Sequence, residues 1–165
     1  MRVLGVDPGS ETTGWGVVEG DARRSRLIEY GVVRSSVKAS FPSRLLNISD
    51  GLEKVIERFA PEACAVEEAF FAVNVKTALK LGQVRGAILV TAERAGLQIA
   101  EYAPRLVKQT VVGYGAAEKH QVQEMVRLLL NLSSVPQPHD AADALAIAIC
   151  HLHHSGIGNR IRAAR

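Results

Sequence analysis

The sequence has few cysteines and no long apolar run, and both shortages narrow its class. Two cysteines, Cys64 and Cys150, are too few for a disulfide framework and too far apart for a zinc knuckle, so we expect reduced core residues. No apolar run approaches the roughly 20 residues that a membrane-spanning helix needs. The start has no secretory pattern, because the short apolar run after Arg2 ends at Asp7 and Pro8. These absences predict a cytoplasmic protein.

Apolar residues are, by contrast, plentiful enough for one folded domain. They make up 47% of the 165 residues, and charged residues make up 22%. This balance excludes a disordered chain and provides one hydrophobic core. We expect a single domain over residues 1–155, followed by a basic, flexible tail over residues 156–165.

Positive charge is in slight excess and unevenly distributed. Lysine and arginine number 20 against 17 for aspartate and glutamate, a net charge of +3. Lys76, Lys80 and Arg85 fall within one predicted helix, and Lys108 and Lys119 flank a turn that contains glycine. This placement is compatible with a polyanionic partner such as nucleic acid, and equally with ordinary solvated side chains.

Hydrophobic periodicity predicts an α/β fold with a sheet of mixed direction. Segments rich in β-branched residues predict strands at 3–7, 14–19, 26–34, 64–69 and 97–102. Apolar residues at three- and four-residue steps predict helices at 41–59, 74–94, 117–130 and from 139 or 140 onward, with a short helix opened by Pro104. Short turns join the first three strands, which should therefore be antiparallel. A long helix separates strands one and four, which predicts that they are parallel neighbours.

Four carboxylates stand where this topology brings strand and helix ends together. Asp7 ends the first strand, and Glu67 holds the matching place on the fourth. Asp140 and Asp143 lie three residues apart in the first turn of the last helix, on one face. Each alone has a structural interpretation, as a helix cap, a turn residue or a salt-bridge partner. An unpaired charge at Glu67 in so apolar a strand would lower the stability of the fold, however, which favours a shared site. Its neighbour Glu68 should face the other side of the sheet.

Carboxylates gathered in this way repel one another unless cations neutralise them. Mg²⁺ and Mn²⁺ are suitable partners, because they are hard ions that prefer oxygen ligands. Two such ions, about 3.5–4 Å apart, activate a water on one side of a phosphodiester and stabilise the leaving oxygen on the other. The constellation therefore indicates a metal-dependent nuclease.

Longer strings extend this pattern over essentially the whole chain. They are DPGSETTGWG at 7–16, AVEEAFFAVN at 65–74, ALKLGQVRG at 78–86, VKQTVVGYGAAEKHQV at 107–122 and HDAADALAIA at 139–148. Their order and spacing resemble the RuvC family of Holliday-junction resolvases. The resemblance implies a ribonuclease-H-like fold, with a five-stranded mixed sheet flanked by helices, and makes residues 1–155 a single nuclease domain.

The same resemblance implies what the carboxylates do. Asp7, Glu67, Asp140 and Asp143 fall at the family's catalytic, metal-binding positions, with two Mg²⁺ or Mn²⁺ ions expected per active site. The implied reaction is the resolution of four-way DNA junctions by symmetric paired nicks, in homologous recombination and DNA repair.

Assembly is implied by the resemblance as well. The family implies a homodimer and a branch-migration motor complex, RuvA and RuvB, as a partner. Gly82 and Gly86 permit close approach of another helix, which makes the helix at 74–94 the candidate dimer contact.

DNA-contacting positions follow in the same way. Phe70 matches the family residue that stacks on an unpaired base at the junction centre. Lys108 and Lys119 match the family's basic DNA-contacting positions, where they would hold the scissile phosphate or offset its charge. A secondary set of backbone contacts comprises Lys76, Lys80 and Arg85.

The histidines leave alternatives open. Some relatives have a histidine where Asp140 stands, and His139 lies immediately before it, so His139 is a possible catalytic residue. His151, His153 and His154 have no partner cluster in the sequence and are interpreted as a solvated helix end.

Two other functions also stay open on the sequence alone. The pattern D-x-G-x-x-x-x-G, formed by Asp7, Gly9 and Gly14, is similar to the first phosphate loop of the actin, sugar-kinase and chaperone ATPases. Those proteins need a second comparable domain, for which 165 residues are too few. A fold relative that processes RNA, or only binds structured nucleic acid, is the other alternative.

Overall fold

The computed structural model describes residues 1–68 and 74–163, with side chains described through residue 155. The strands in these segments are β1 (Arg2–Asp7), β2 (Thr12–Gly20), β3 (Ser25–Arg34), β4 (Ala63–Glu67) and β5 (Gln98–Tyr102). The helices are α1 (Phe41–Phe59), α2 (Val75–Arg94), α3 (Pro104–Val112), α4 (Lys119–Leu129) and α5 (His139–Ala163).

The strands form one mixed sheet in the order β3-β2-β1-β4-β5. β2 pairs antiparallel with both β1 and β3, whereas β4 pairs parallel with both β1 and β5. The predicted five-stranded sheet, with strands one and four side by side, is therefore confirmed. The crossover through α1 permits the parallel pairing, because a tight hairpin joins only antiparallel strands.

Each face of the sheet is covered by its own group of helices. Leu4 and Val66 belong to the core formed with α1 and α2, on what we call the α1–α2 face. Val3 and Ala65 belong to the core formed with α3, α4 and α5, on what we call the α5 face. Neighbouring residues of one strand thus serve opposite cores, as the two-residue period of a strand requires.

Glycines allow α5 to lie close to the sheet. A Cβ atom at Gly5 would clash with the backbone of Ala144, and one at Gly14 would clash with the backbone carbonyl of Asp140. The helix is rich in alanine and almost wholly buried over residues 141–152. Small residues on both sides of the contact therefore set how closely helix and sheet approach.

Side-chain caps explain where two of the helices begin. The Ser40 hydroxyl accepts a hydrogen bond from the Ser43 backbone N–H, ahead of α1. Before α4, the Glu118 backbone N–H donates to Gln121 Oε1 over 2.8 Å, one half of a capping box. This box places the start of α4 at Lys119, two residues after the predicted start.

The ends of β4 and α5 also differ from the predicted boundaries. β4 ends at Glu67 rather than residue 69, because its ladder with β5 ends where Glu67 pairs with Tyr102. α5 continues to Ala163, so no break in secondary structure marks the predicted boundary after residue 155. Side chains beyond that boundary lie outside the described part, and the flexible basic tail stays a prediction. Over the described residues, no helix is both long and apolar enough to span a membrane.

Candidate active site

Carboxylates from three distant segments line one cavity of about 150 Å³. Asp7 comes from β1, Glu67 from β4 and Asp143 from α5. Lys108 of α3 and Lys119 of α4 complete its charged lining. The fold thus brings together five residues that the sequence analysis singled out from different parts of the chain.

The register of the sheet explains why Asp7 and Glu67 meet. Val6 pairs with Val66 in the parallel ladder, so the next residue of each strand stands at the same level. By the two-residue period, both of these next side chains point to the α5 face. The two carboxylates therefore share one edge and one face of the sheet.

Gly14 brings the first turn of α5 over this edge. It pairs with Asp7 in the β1–β2 ladder, and its missing Cβ leaves room for the Asp140 carbonyl. Asp143 lies three residues further along α5 and lines the cavity. Asp140 is not among the described lining residues, although its charge acts on Asp7.

The electrostatics of the cavity disfavour several negative charges at once. Burial raises the pKa of Asp7 to about 8, and the charges of Glu67, Asp143 and Asp140 act in the same direction. Burial also raises the pKa of Glu67, followed in effect by the charge of Asp143. A cation in the cavity would relieve this repulsion.

Lysine side chains offset part of the negative charge. Lys119 Nζ lies 2.7 Å from Asp143 Oδ2, and this hydrogen bond raises the pKa of Lys119. The charges of Lys119 and Lys108 lower the pKa of Glu67, against the larger effect of burial. The site is therefore a mixed cluster in which ammonium groups stand beside the carboxylates.

The chemistry of the carboxylates fits a hard divalent cation, but their side chains, all within the described residues, do not converge on one point. All of the carboxylates offer oxygen ligands, which Mg²⁺ and Mn²⁺ prefer. Within the described residues, no three His, Cys, Asp or Glu side chains surround a common point closely enough to hold a metal ion. Asp143 is bonded to Lys119 instead. Binding would need that carboxylate to turn, and the ligand set stays a prediction.

Other predicted site residues lie away from the cavity lining. His139 is exposed at the first residue of α5. Lys76 and Lys80 are exposed near the start of α2. Phe70 lies outside the described residues, so its predicted stacking role is not addressed by this structure.

Arg85 is already paired within the protein. Its guanidinium forms an ion pair with Glu101 of β5, and the side chain is only 29% exposed. Contact with a DNA phosphate would have to compete with this carboxylate. The structure thus separates Arg85 from the exposed Lys76 and Lys80, with which the sequence analysis grouped it.

The interpretation of the last histidines as a solvated helix end is wrong for two of the three. His151 is buried, with its Nδ1 2.9 Å from the Tyr102 hydroxyl. His154 is half-buried, with its Nε2 3.1 Å from Thr110 Oγ1. His153 alone of these three is exposed. The missed signal is that α5 is apolar on all sides, which indicates a helix buried around its circumference.

The glycines of the D-x-G-x-x-x-x-G pattern have structural roles here. A Cβ at Gly9 would meet the Thr12 carbonyl within the β1–β2 turn, and Gly14 makes room for α5. Gly9 therefore allows the tight β1–β2 turn, and Gly14 allows α5 to lie close to β2. This use accounts for the pattern without a nucleotide phosphate.

Comparison with known proteins gives one consistent result. A family profile described as crossover junction endodeoxyribonuclease RuvC matches residues 3–151. The chain is 54% identical to the crossover junction endodeoxyribonuclease RuvC of Chloroflexus aggregans over 153 residues, which is 93% of each chain.

Solved structures agree with the sequence comparison. The fold is similar to that of Thermus thermophilus RuvC in complex with a Holliday junction substrate, with a TM-score of 0.91, 41% identity and 96% of each chain covered. A second Thermus thermophilus RuvC structure gives a TM-score of 0.87 at 42% identity, covering 96% of this chain and 97% of the other.

Proposed function

The chain belongs to the RuvC family of crossover junction endodeoxyribonucleases, and on this premise we propose that it cuts four-way DNA junctions at the cavity between β1, β4 and α5. The observation that carries the proposal is the convergence of Asp7, Glu67 and Asp143 on one cavity with two lysines. Membership of the family makes the protein a nuclease, and this convergence gives the nuclease a site.

The carboxylates bind Mg²⁺ or Mn²⁺ in this proposal. Asp7, Glu67 and Asp143 are the ligands that line the cavity, and Asp140 is the fourth candidate at its margin. When bound, two such ions lower the pKa of an attacking water and stabilise the charge on the leaving oxygen. The raised pKa values of Asp7 and Glu67 support the assignment, because burial and, after it, the neighbouring carboxylates disfavour their negative charges, which a dication would stabilise.

Lys108 and Lys119 hold the scissile phosphate in this proposal. Both ammonium groups line the cavity from the helices opposite the sheet edge. Lys119 is 61% exposed, so it can exchange Asp143 for a phosphate oxygen of the substrate. Release of Asp143 by Lys119 would also free that carboxylate to act as a ligand.

His139 is proposed as a residue that orients the attacking water. It is exposed directly before Asp140, at the end of α5 that lies over Gly14 of β2. Among the described residues, the His139 imidazole makes no hydrogen bond that would give it a structural role. Activity that survives His139→Ala unchanged would remove it from the site.

The duplex arms are held by exposed lysines in this proposal. Lys76 and Lys80 are exposed on the first turns of α2, directly after the segment that contains Phe70. They contact phosphates, and Phe70 stacks on an unpaired base at the junction centre. Arg85 is a weaker candidate, because Glu101 already neutralises it.

A homodimer through α2 completes the proposal. Val75, Leu79 and Val90 are 76%, 63% and 58% exposed on one stripe of this helix. Gly82 and Gly86 lie between them, and a Cβ at either would meet open space. A second copy would cover this stripe, and its dyad would produce symmetric paired nicks. The motor complex of RuvA and RuvB stays a prediction from the family resemblance, and the cytoplasmic location stays a prediction from the sequence.

The dimer contact is tested by a matched pair of variants. We expect Leu79→Glu to convert the dimer to monomers in analytical ultracentrifugation, because it places a charge in the proposed contact. Leu46→Glu on α1 is the control, since Leu46 is also 63% exposed. Equal sedimentation of both variants as dimers would contradict the contact.

The function is tested with a synthetic four-way junction and a linear duplex of the same sequence, with and without Mg²⁺ or Mn²⁺. We expect paired incisions in the junction alone, and only when metal is present. Incision of both substrates would indicate an unspecific nuclease. Binding of the junction without incision under every metal condition would indicate a structural binding protein instead.

A further inference from the structure

Two hydrogen-bonded pairs connect α5 to α3, which carries Lys108, and to β5, which pairs with β4 beside Glu67. Tyr102, the last residue of β5, is bonded to His151 of α5 over 2.9 Å. Thr110 of α3 is bonded to His154 of α5 over 3.1 Å. Together these four residues form what we call the polar clamp.

The pair of Tyr102 and His151 lies beside the end of β4 that carries Glu67. Tyr102 is the β5 partner of Glu67, and its carbonyl accepts the backbone N–H of Glu68. Its ring also packs edge-on against His151, with centroids 5.9 Å apart. The end of β4 is therefore held by a residue that α5 itself anchors.

The pair of Thr110 and His154 fixes α3. The Thr110 hydroxyl donates its proton to the Leu106 carbonyl over 2.8 Å, so it can only accept from His154 Nε2. The Cys150 thiol donates to the same oxygen over 3.5 Å. All hydrogen-bonding capacity of this hydroxyl is thus used between α3 and α5. Lys108, two residues earlier on α3, lines the cavity.

The clamp lies against the apolar core of the α5 face, where Tyr102 packs and His151 is buried. Burial, followed by the charge of His154, lowers the pKa of His151. His151 is 8% exposed, and within the described residues its Nε2 has no hydrogen-bond partner. A buried polar side chain with so little satisfaction is costly in a purely structural role, where an apolar residue would pack as well.

We propose that this polar clamp positions Lys108 and Glu67 for phosphodiester cleavage, so that Tyr102, Thr110, His151 and His154 act on the reaction without touching the DNA. The inference rests on the proposed function, because it assigns these residues to that site. The bond from His154 to Thr110 holds α3 against α5 and so determines where the Lys108 ammonium lies in the cavity. The bond from His151 to Tyr102 holds the end of β5 beside Glu67. Hydrogen bonds are directional, so they add to the apolar packing of Val107 and Val111 a constraint on where α3 lies along α5.

A matched pair of threonines separates positioning from stability. Thr91 of α2 makes the same bonds as Thr110, to the carbonyl four residues earlier over 2.8 Å and to a side chain of another helix, Ser49, over 2.7 Å. It lies on the α1–α2 face. Thr91→Val and Thr110→Val each remove one bond within the helix and one to another helix, and Thr110→Val also removes the long contact from the Cys150 thiol. Only Thr110 belongs to the clamp.

The experiment measures single-turnover cleavage and binding of a four-way junction by the full-length protein. We expect Thr110→Val to slow cleavage about fivefold to tenfold, with about twofold or less change in the junction Kd, because a small misplacement of a reacting group lowers the rate more than the binding. Thr110→Ser should restore the rate, and Thr91→Val should cleave as the wild type does. Equal rates for Thr110→Val and Thr91→Val would overturn the proposal.

A double variant tests whether Thr110 acts through Lys108. If it does, Thr110→Val added to Lys108→Ala slows cleavage no further, whereas two independent roles would multiply their effects and contradict the proposal. Tyr102→Phe removes one oxygen atom only and serves if Thr110→Val does not fold; it too should slow cleavage at unchanged junction affinity. Absence of cleavage by the wild type would refute the proposed function instead, so the two failures are distinguishable.

Discussion

The two faces of the sheet differ in the size of their side chains, and therefore in how closely a helix can approach. On the α1–α2 face, β1 and β4 present large residues such as Leu4, Val6 and Val66, and two amphipathic helices pack over them. On the α5 face, the same strands present Gly5 and Ala65, and a buried, alanine-rich helix lies close above them.

This difference teaches how the fold positions its chemistry. Charged groups from strand and helix ends meet only where backbones approach closely, and small side chains permit that approach. On the α1–α2 face the sheet and the helices meet through side chains, which can repack. The α5 face sets the distance from Asp7 to α5 through backbone contacts, which adjust little.

The largest expected effect tests whether the chemistry belongs to the α5 face. We expect Glu67→Gln to lower the rate of junction cleavage by about 10² or more, because a principal charge of the site is lost. Glu68→Gln is the matched control, since the sequence predicts that this neighbour faces away. Cleavage assays under single-turnover conditions decide; equal losses in both variants would break the distinction between the faces.

The second prediction compares one added methyl group on each face. Gly5→Ala should lower the free energy of unfolding by about 3 kcal/mol, because its Cβ meets the Ala144 backbone. Val6→Ile adds its methyl group on the α1–α2 face, where the contacts are side chains that can shift, and should cost about 1 kcal/mol, the low end for an inserted methylene. Denaturant midpoints measure both; a cost at Gly5 no larger than at Val6 would show that α5 can move.

A third prediction concerns stability as a function of pH in the absence of metal. With its pKa at about 8 in the fold and 3.8 ordinarily, Asp7 keeps a proton that the unfolded chain releases over this range. The free energy of unfolding should therefore fall as pH rises from about 4 to about 8. Asp7→Asn should remove several kcal/mol of this decline, at about 1.4 kcal/mol for each unit of pKa difference, as thermal denaturation at several pH values would show.

The control for this measurement is Asp50→Asn, at an exposed position of α1. It should leave the pH dependence of the wild type unchanged. An Asp7→Asn protein that loses stability over pH 4–8 as steeply as the wild type does would contradict the electrostatic account of the cavity.

The smallest expected effect concerns DNA affinity. Lys119→Ala should weaken junction binding a few-fold at low salt and reduce the slope of log K against log salt by about 1, because one phosphate contact is lost. Lys54→Ala, at an exposed position of α1, is the control. A wild-type salt slope for Lys119→Ala in a binding titration would remove Lys119 from the DNA contacts.

Much of the fold was predictable because local patterns and topology agree. The periodicity of α1 and the short β-rich segments gave the elements, and the long crossover gave the parallel pairing of β1 with β4. The pairing then placed Asp7 beside Glu67. Boundaries shifted by two residues where a ladder or a capping box, rather than periodicity, determined the end.

The site was predictable in its members but not in its internal bonds. Asp7, Glu67 and Asp143 share a cavity as expected. Arg85 pairs with Glu101, and His151 pairs with Tyr102. Both pairs join residues that are distant in sequence, and they depend on side-chain rotamers that no periodic pattern encodes. Such contacts depend on the packing of α5, which only the assembled sheet determines.

The most direct test of the central claim is the rate at which Asp7→Asn cuts a four-way junction to which it is demonstrably bound, in saturating Mg²⁺. The account predicts wild-type junction affinity together with a cleavage rate reduced by about 10² or more. Cutting at the wild-type rate by the bound variant would contradict the account, because the end of β1 would then take no part in the reaction.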